Sequence, residues 1–156
     1  MRKQLIGEAP NTKIIASDMF DTAWMQQLSQ NHLPTLLLVE GVFMYSTKEK
    51  IRQFLQDVAT IVGPCRLIFD SVPPMLINNA KYHDALQKKN TALQYTWGVA
   101  NQAELEAMSE HWRVREWTYM SDLPQADRFA LKYRVLYLIA YFYRRANQLL
   151  IAVDIV

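Results

Sequence analysis

Glycine is scarce in this 156-residue sequence, and the scarcity excludes a common kind of nucleotide site. The chain has four glycines, where average usage would give roughly eleven. They stand far apart, at Gly7, Gly41, Gly63 and Gly98. Neither the G-x-G-x-x-G fingerprint nor the phosphate-binding P-loop occurs, because both need glycines a few residues apart.

A second cysteine, a strong net charge and long apolar runs are also missing. The single cysteine, Cys65, cannot form an internal disulfide, which predicts a reducing compartment such as the cytoplasm. A net charge of +2 gives no basic surface for nucleic acid. The most apolar stretch, residues 135–143, is far shorter than the ~20 residues that cross a bilayer. The N-terminus lacks an apolar signal region. We therefore expect neither a nucleic-acid partner nor a membrane partner.

The first half of the sequence alternates strand and helix patterns. Apolar runs at residues 13–18, 35–40 and 66–70 predict three strands. The unbroken run at 35–40 is typical of a parallel strand that is covered on both faces. Apolar residues recur at helical spacing from Ile51 to Val62. Strands joined by helices in this way favour right-handed crossovers and a mainly parallel sheet.

Polar residues mark where the first two helices begin. Asp21 or Thr22 is a suitable N-cap for a helix over residues 23–28, and Ser46 or Thr47 for the next helix. Both caps precede segments whose apolar residues would face the core, so each predicted helix joins one predicted strand to the next.

The second half of the sequence is less regular. Helices are predicted at residues 75–89, 103–108 and 127–146. Large apolar residues alternate with charged ones at 112–119, and an apolar run ends the chain at 149–156, so both segments predict strands. With one helix between them, these strands could pair antiparallel at one edge of the sheet.

Three acids stand at the ends of the predicted parallel strands: Asp18, Glu40 and Asp70. Ligands bind outside the carboxyl ends of the strands in open α/β sheets. Carboxylates there can accept hydrogen bonds from ribose hydroxyls, an adenine amino group or a ligand ammonium group. The alternative is that acids end strands simply because the chain is entering water. No zinc-ligand spacing and no G-x-S-x-G motif occurs, so neither a metal site nor a serine hydrolase is predicted.

Residues 33–45, LPTLLLVEGVFMY, resemble the fourth strand of a family of S-adenosylmethionine-dependent O-methyltransferases. That family groups the leucine carboxyl methyltransferases with the tetracenomycin-type polyketide O-methyltransferases. Its fourth strand typically reads as an apolar run, Glu-Gly-Val, an apolar pair and Tyr. Three weaker matches agree in order and spacing, so that the resemblance covers about residues 13–156: IIASDM at 14–19 with Trp24, RLIFD at 66–70, and YTWG at 95–98 followed by AELE at 103–106.

The resemblance implies a fold and a cofactor. The expected fold is an α/β, Rossmann-like class I methyltransferase sheet, mainly parallel with an antiparallel edge, in a single domain over residues 1–156. The expected cofactor is S-adenosylmethionine. Family positions carried over place Asp18 and Met19 against its adenine and Glu40 beside its methionine part, where Gly41 would let the ligand come close to the backbone.

The resemblance also implies a small-molecule methyl acceptor, with a carboxylate or hydroxyl group as the methylated position. Tyr45, Asp70, Tyr95 and Trp97 are the candidate substrate-binding residues, and His83 is a further pocket candidate. No residue is assigned as the catalytic base.

Two family features have no counterpart in this sequence: the glycine-containing loop after the first strand, and the acid that ends the second strand. The chain therefore resembles the C-terminal portion of a methyltransferase, a truncated sheet that lacks the first two strands. Two functions remain open, an O-methyltransferase impaired by truncation and a non-catalytic remnant that acts by binding protein. The fourth strand would have an open edge, for a second copy in a homodimer or another chain to cover.

Overall fold

A computed structural model describes four segments of the chain. They are residues 10–30, 33–77, 94–124 and 148–156, together with residues 128, 131, 134, 135, 138 and 139. A mixed four-stranded sheet lies at the centre of the described part. Its strands are β1 (Leu36–Val39), β2 (Cys65–Ser71), β3 (Trp112–Tyr119) and β4 (Leu149–Ile155), in the spatial order β1-β2-β4-β3.

The sheet combines one parallel pair with an antiparallel edge. β1 and β2 run parallel, with Val39 opposite Phe69 at the last pair. β4 lies antiparallel to both β2 and β3. A β-bulge between Val114 and Glu116 shifts the register of β3 against β4. The predicted α/β fold and its antiparallel edge are confirmed.

The strand predicted at residues 13–18 is wrong. This segment is not part of the sheet, and Ile15 is 39% exposed. A strand is held by hydrogen bonds to its neighbours, and in the described part of the chain the free edge of β1 faces no further strand. The parallel part of the sheet is therefore one pair of strands rather than the predicted three-stranded unit.

Two helices of the first half form as predicted. Helix α1 spans Ala23–Ser29, and helix α2 spans Lys48–Asp57 and continues into a wider π turn. Thr47 caps α2 through its hydroxyl, which accepts a hydrogen bond from the Lys50 N–H at 3.3 Å. The apolar stripe of α2 is buried, and the helical run ends at Gly63, whose φ of 82° suits a residue without a side chain.

One main core lies against the inward face of the sheet. Alternate residues of β2 and β4 point into it, as expected for strands with one buried face. Phe43 connects the layers, since its ring packs edge-on against Phe54 at 5.5 Å and Phe69 at 5.2 Å between ring centroids. A smaller cluster of Met44, Val72 and Tyr95 lies apart from this core.

The second half of the chain bears out its short helix. Helix α3 spans Gln102–Glu106, where residues 103–108 were predicted, and Asn101 caps it by accepting from the Glu104 N–H at 2.9 Å. Trp112 joins β3 to α3, because its indole N–H donates to the carbonyl of Leu105 at 2.9 Å.

The other two predicted helices fall largely outside the described residues. The one at 75–89 begins in a 3₁₀ turn, Pro74–Leu76, and residues 78–93, including the pocket candidate His83, are not described. Within the helix predicted at 127–146, residues 131, 134, 135, 138 and 139 are helical. In the described part of the chain, no helix combines the length and the apolarity needed to span a bilayer.

Candidate functional site

A tight turn directly after β1 forms the centre of the candidate site. Gly41 has a φ of 66° there, in the left-handed region that favours glycine. Its N–H donates to Oδ1 of Asp70 at 2.7 Å. No heavy atom of the described residues lies within 4 Å of where a Cβ would stand on Gly41, so this part of the structure leaves the backbone of the turn open to an approaching molecule.

Glu40 and Asp70 occupy neighbouring places at the carboxyl ends of the parallel strands. Val39 pairs with Phe69, and the residues that directly follow these two are Glu40 and Asp70, which therefore lie side by side. Glu40 is exposed, whereas Asp70 is half-buried. Two of the three acids predicted to share this edge are therefore brought together by the parallel pair.

Tyr45 and Tyr95 stack beside this edge. Their ring centroids are 5.4 Å apart, and Tyr95 is buried. The segment that carries Tyr95 is held by the next residue, since the Thr96 N–H donates to the carbonyl of Met44 at 2.8 Å. Burial raises the pKa of the Tyr95 phenol, and Tyr45 and the negative charge of Asp70 raise it further. Tyr95 is therefore a neutral phenol at physiological pH.

Trp97 lies in the main core rather than at an open surface. It is 4% exposed, and its ring contacts Phe43 and Phe69, with centroids 6.2 and 6.1 Å away. In this structure it supports the residues behind the strand ends by packing. Its predicted contact with substrate stays a prediction, and little of its surface is left to make one.

Asp18 and Met19 lie in a separate turn before α1, not at the end of a strand. Oδ1 of Asp18 accepts from the Phe20 N–H at 3.0 Å, and the carbonyl of Met19 accepts from the indole N–H of Trp24 at 3.0 Å. The Phe20 ring packs edge-on against Phe54 of α2 at 6.0 Å between centroids. These contacts anchor the turn to α2, and the predicted contacts of Asp18 and Met19 with adenine stay predictions.

Sequence reasoning missed Gln148. Its side-chain amide donates to Oδ2 of Asp70 at 3.5 Å. The signal was available in the strand pattern: the antiparallel register pairs Ser71 with Leu149, which places the residue before β4 at the carboxyl end of β2. Pairing the last two predicted strands with 66–70, rather than only with each other, would have found it.

The opposite edge of the sheet carries a shallow depression of about 500 Å³. Cys65 and Arg66 line it, together with Asp154 and the chain end. Burial raises the pKa of the Cys65 thiol to about 11, and the nearby Asp154 adds to the effect. The thiol is therefore protonated at neutral pH, as expected of a packing residue. Among the described residues, no three histidine, cysteine or acidic side chains come together as metal ligands.

The fold defined by these elements is that of S-adenosylmethionine-dependent methyltransferases. Superposition on such a methyltransferase from Anabaena variabilis covers 97% of this chain and 61% of that one, with a TM-score of 0.58 and 11% identity. Superposition on a DUF574 family protein from Streptomyces avermitilis covers 97% of this chain and 59% of that protein, with a TM-score of 0.57 and 11% identity. Superposition on a putative methyltransferase from Thermobifida fusca covers 98% of this chain and 57% of that protein, with a TM-score of 0.55 and 12% identity.

The sequence is also similar to that of one particular methyltransferase. The chain is 26% identical over 124 residues to the tetracenomycin polyketide synthesis O-methyltransferase TcmP of Streptomyces glaucescens. The match covers 80% of this chain and 45% of TcmP, so the chain spans less than half the length of that relative. No family model matches the sequence. The predicted resemblance to the tetracenomycin-type methyltransferases is confirmed.

Proposed function

We propose that this chain forms part of an S-adenosylmethionine-dependent O-methyltransferase that methylates a carboxylate or hydroxyl of a small molecule. The observation that carries the proposal is the match to TcmP over 80% of the chain. The segment that first pointed to this family forms β1 and the Glu40–Gly41 turn, at the sheet edge where α/β proteins bind ligands.

The described residues suit one end of the cofactor. S-adenosylmethionine carries an ammonium and a sulfonium group, and a carboxylate forms its stronger hydrogen bonds with charged donors. Glu40 is exposed beside the open backbone of Gly41. The adenine end of the cofactor would need Asp18 and Met19. It would also need residues other than those that lie at the carboxyl ends of β1 and β2.

Methyl transfer from a sulfonium is an in-line displacement, which depends mainly on how the two reactants are positioned. A carboxylate acceptor needs no base, whereas a hydroxyl acceptor can need one. Tyr95 is unsuited to that task, because its raised pKa keeps the phenol protonated. We assign Tyr45 to the wall of the acceptor pocket, with the buried Tyr95 ring packed behind it, and leave proton removal to another group.

Calorimetry of the purified 156-residue chain with S-adenosylmethionine and S-adenosylhomocysteine tests the proposal. We expect micromolar binding that Glu40→Ala weakens by about tenfold, the effect of losing a contact worth ~1.4 kcal/mol. Asp18→Ala tests the adenine side in the same way. Glu110→Ala, an exposed acid in the turn before β3, is the matched control and should bind like the wild type. A folded chain that binds neither compound would contradict the cofactor proposal.

In the part of the chain that the structure describes, β1 has a neighbouring strand on one side only. This favours a second candidate function, a methyltransferase-like module that binds protein. Leu36 and Leu38 on this strand are 55% and 70% exposed. An edge strand with apolar side chains is a ready template for pairing with another strand. We propose that a second copy of the chain covers this edge through its own β1, as a twofold dimer with self-complementary contacts.

Light scattering after size exclusion tests this second candidate. The protein-binding reading predicts a dimer that Leu38→Lys converts to a monomer, because a charge on the contact face opposes pairing. Leu131→Lys changes an exposed leucine elsewhere on the described surface and should leave the dimer intact. A wild-type chain that is monomeric at every concentration would exclude the homodimer.

A further inference from the structure

We infer that Asp70 is a positioning residue, which fixes the Glu40–Gly41 turn from the neighbouring strand instead of contacting substrate. The inference rests on the proposed function for its consequence in ligand binding, but the contact itself is a property of the fold. It revises the role predicted for Asp70 as a wall of the substrate pocket.

The hydrogen bond from the Gly41 N–H to the Asp70 side chain replaces the next backbone hydrogen bond between β1 and β2. The parallel pairing of β1 with β2 ends at Val39 and Phe69. Beyond it, the Asp70 side chain accepts from the Gly41 N–H at 2.7 Å, across 29 residues of sequence. A carboxylate acceptor makes a stronger bond than a backbone carbonyl, so the chain is held as it leaves the sheet.

The geometry of the turn explains why such a hold is needed. With a φ of 66°, Gly41 turns the chain away from the direction of β1, and within the described segments no heavy atom lies within 4 Å to support a side chain there. Glycine is also the residue with the greatest backbone freedom. One fixed N–H therefore restricts the part of the backbone that directs Glu40.

Both oxygens of Asp70 are engaged by the protein. Oδ1 accepts from Gly41, and Oδ2 accepts from the side-chain amide of Gln148 at 3.5 Å. The carboxylate thus spans from the end of β1 to the start of β4 and is half-buried between them. These two protein donors use about half of the roughly four acceptor sites of a carboxylate, whereas Glu40 beside it is exposed.

Amide hydrogen exchange of Gly41, followed by NMR on the full 156-residue chain, tests the contact without any ligand. Asp70→Ala should speed exchange of the Gly41 amide by about tenfold or more, since hydrogen bonds to charged groups contribute ~1.5–3 kcal/mol. Asp70→Asn keeps an acceptor oxygen and should restore most of the protection. The Gly63 amide, which donates to the carbonyl of Val58 at 3.1 Å, is an internal reference and should not change.

Asp57→Ala is the matched control variant. Asp57 also accepts a side-chain hydrogen bond, from Gln53 at 2.9 Å, but lies on α2. Its loss should leave Gly41 unaffected. Unchanged Gly41 exchange in Asp70→Ala, or exchange in Asp70→Asn as fast as in Asp70→Ala, would overturn the inference.

Binding of S-adenosylhomocysteine then separates positioning from direct contact. If Asp70 only positions the turn, Asp70→Asn should bind within about threefold of the wild type and Asp70→Ala about tenfold more weakly. Equal weakening in both variants, with Gly41 still protected in Asp70→Asn, would mean that the charge meets the ligand, and unchanged binding in Asp70→Ala would mean that the turn does not matter; either result overturns the inference. If the wild type does not bind, the proposed function fails, while the exchange experiment still decides what Asp70 does to Gly41.

Discussion

The central strands of the sheet differ from the edge strand β1 in how completely they are paired. β2 and β4 each have a strand on both sides, and their inward residues, such as Leu67 and Ile151, are fully buried. By contrast, β1 is an edge strand with exposed leucines, and the strand-like residues 13–18 lie outside the sheet. An apolar pattern therefore predicts which residues can form a strand, but a strand forms only where a partner is available.

The same difference divides the candidate site. The residues beside the β1–β2 pair are fixed by that pair and by β4: Gly41 and Asp70 are joined at 2.7 Å, and Gln148 approaches from the start of β4. Asp18 and Met19, predicted from the segment that is not paired, are instead held by a contact within their own turn and by Trp24 of α1. Pairing thus decides which predicted site residues meet.

Two leucines on neighbouring strands give the largest expected difference in stability. Leu67→Ala on β2 removes a side chain with no exposed surface and should cost about 2–5 kcal/mol of unfolding free energy, through lost burial and a cavity. Leu38→Ala on β1 removes a side chain that is 70% exposed and should change stability by no more than ~0.5 kcal/mol. Urea unfolding of both variants measures the difference. Equal losses would show that β1 is as well packed as β2.

Two glycines give the next contrast. A Cβ on Gly98 would stand 2.3 Å from the carbonyl oxygen of Val72, just beyond β2. Gly98→Ala must therefore move backbone and should cost about 3 kcal/mol or more. Gly41→Ala meets open space and bears only the strain of a positive φ, about 1 kcal/mol.

Thermal unfolding, checked by urea titration, orders these two variants. We expect the larger fall in Tm for Gly98→Ala. A larger fall for Gly41→Ala would mean that the turn after β1 is more tightly constrained than the chain beside β2, and would reverse the comparison.

Much of the fold could be predicted from the sequence where local pattern and pairing agree. The stripe of α2 and a cap at Ser46 or Thr47 are predicted correctly, because each depends on residues near in sequence. The strands predicted at 66–70 and 112–119 form because β4 pairs with both. The failure at 13–18 has a different cause, since strand pairing is a long-range property that an apolar run does not contain. Gln148 was missed for a related reason: its approach to Asp70 follows from the register of β4 against β2, 78 residues away in sequence.

Helix caps extend the comparison to the two helices. Thr47 caps α2 with its hydroxyl, whereas Thr22, at the corresponding position before α1, makes no side-chain cap hydrogen bond. Thr47→Ala should cost about 1 kcal/mol, and Thr22→Ala only a few tenths. Denaturant unfolding monitored by circular dichroism measures both. Equal costs would contradict the view that the segment before β1 is the less fixed of the two.

The ion pairs that join Asp154 of β4 to β2 and β3 give the smallest expected effect. Asp154 of β4 accepts from Arg66 of β2 at 2.8 Å and from Arg115 of β3 at 2.5 Å, and these two bonds lower its pKa to about 2. Because its pKa is lower in the folded state than the ~3.9 of an unfolded chain, Asp154 stabilises the fold above pH ~4, and this stabilisation is lost as the pH falls towards about 2. The difference in Tm between wild type and Asp154→Asn should be constant from pH 7 to pH 5 and shrink below pH ~4.

Since both arginines are at least half exposed, high salt should reduce the difference at neutral pH. Asp57→Asn on α2, which has no arginine partner among the described ion pairs, is the control. If the difference for Asp154→Asn ignored both acid and salt, the contribution of Asp154 would come from packing alone, and the charges would add nothing to the cohesion of β2, β4 and β3.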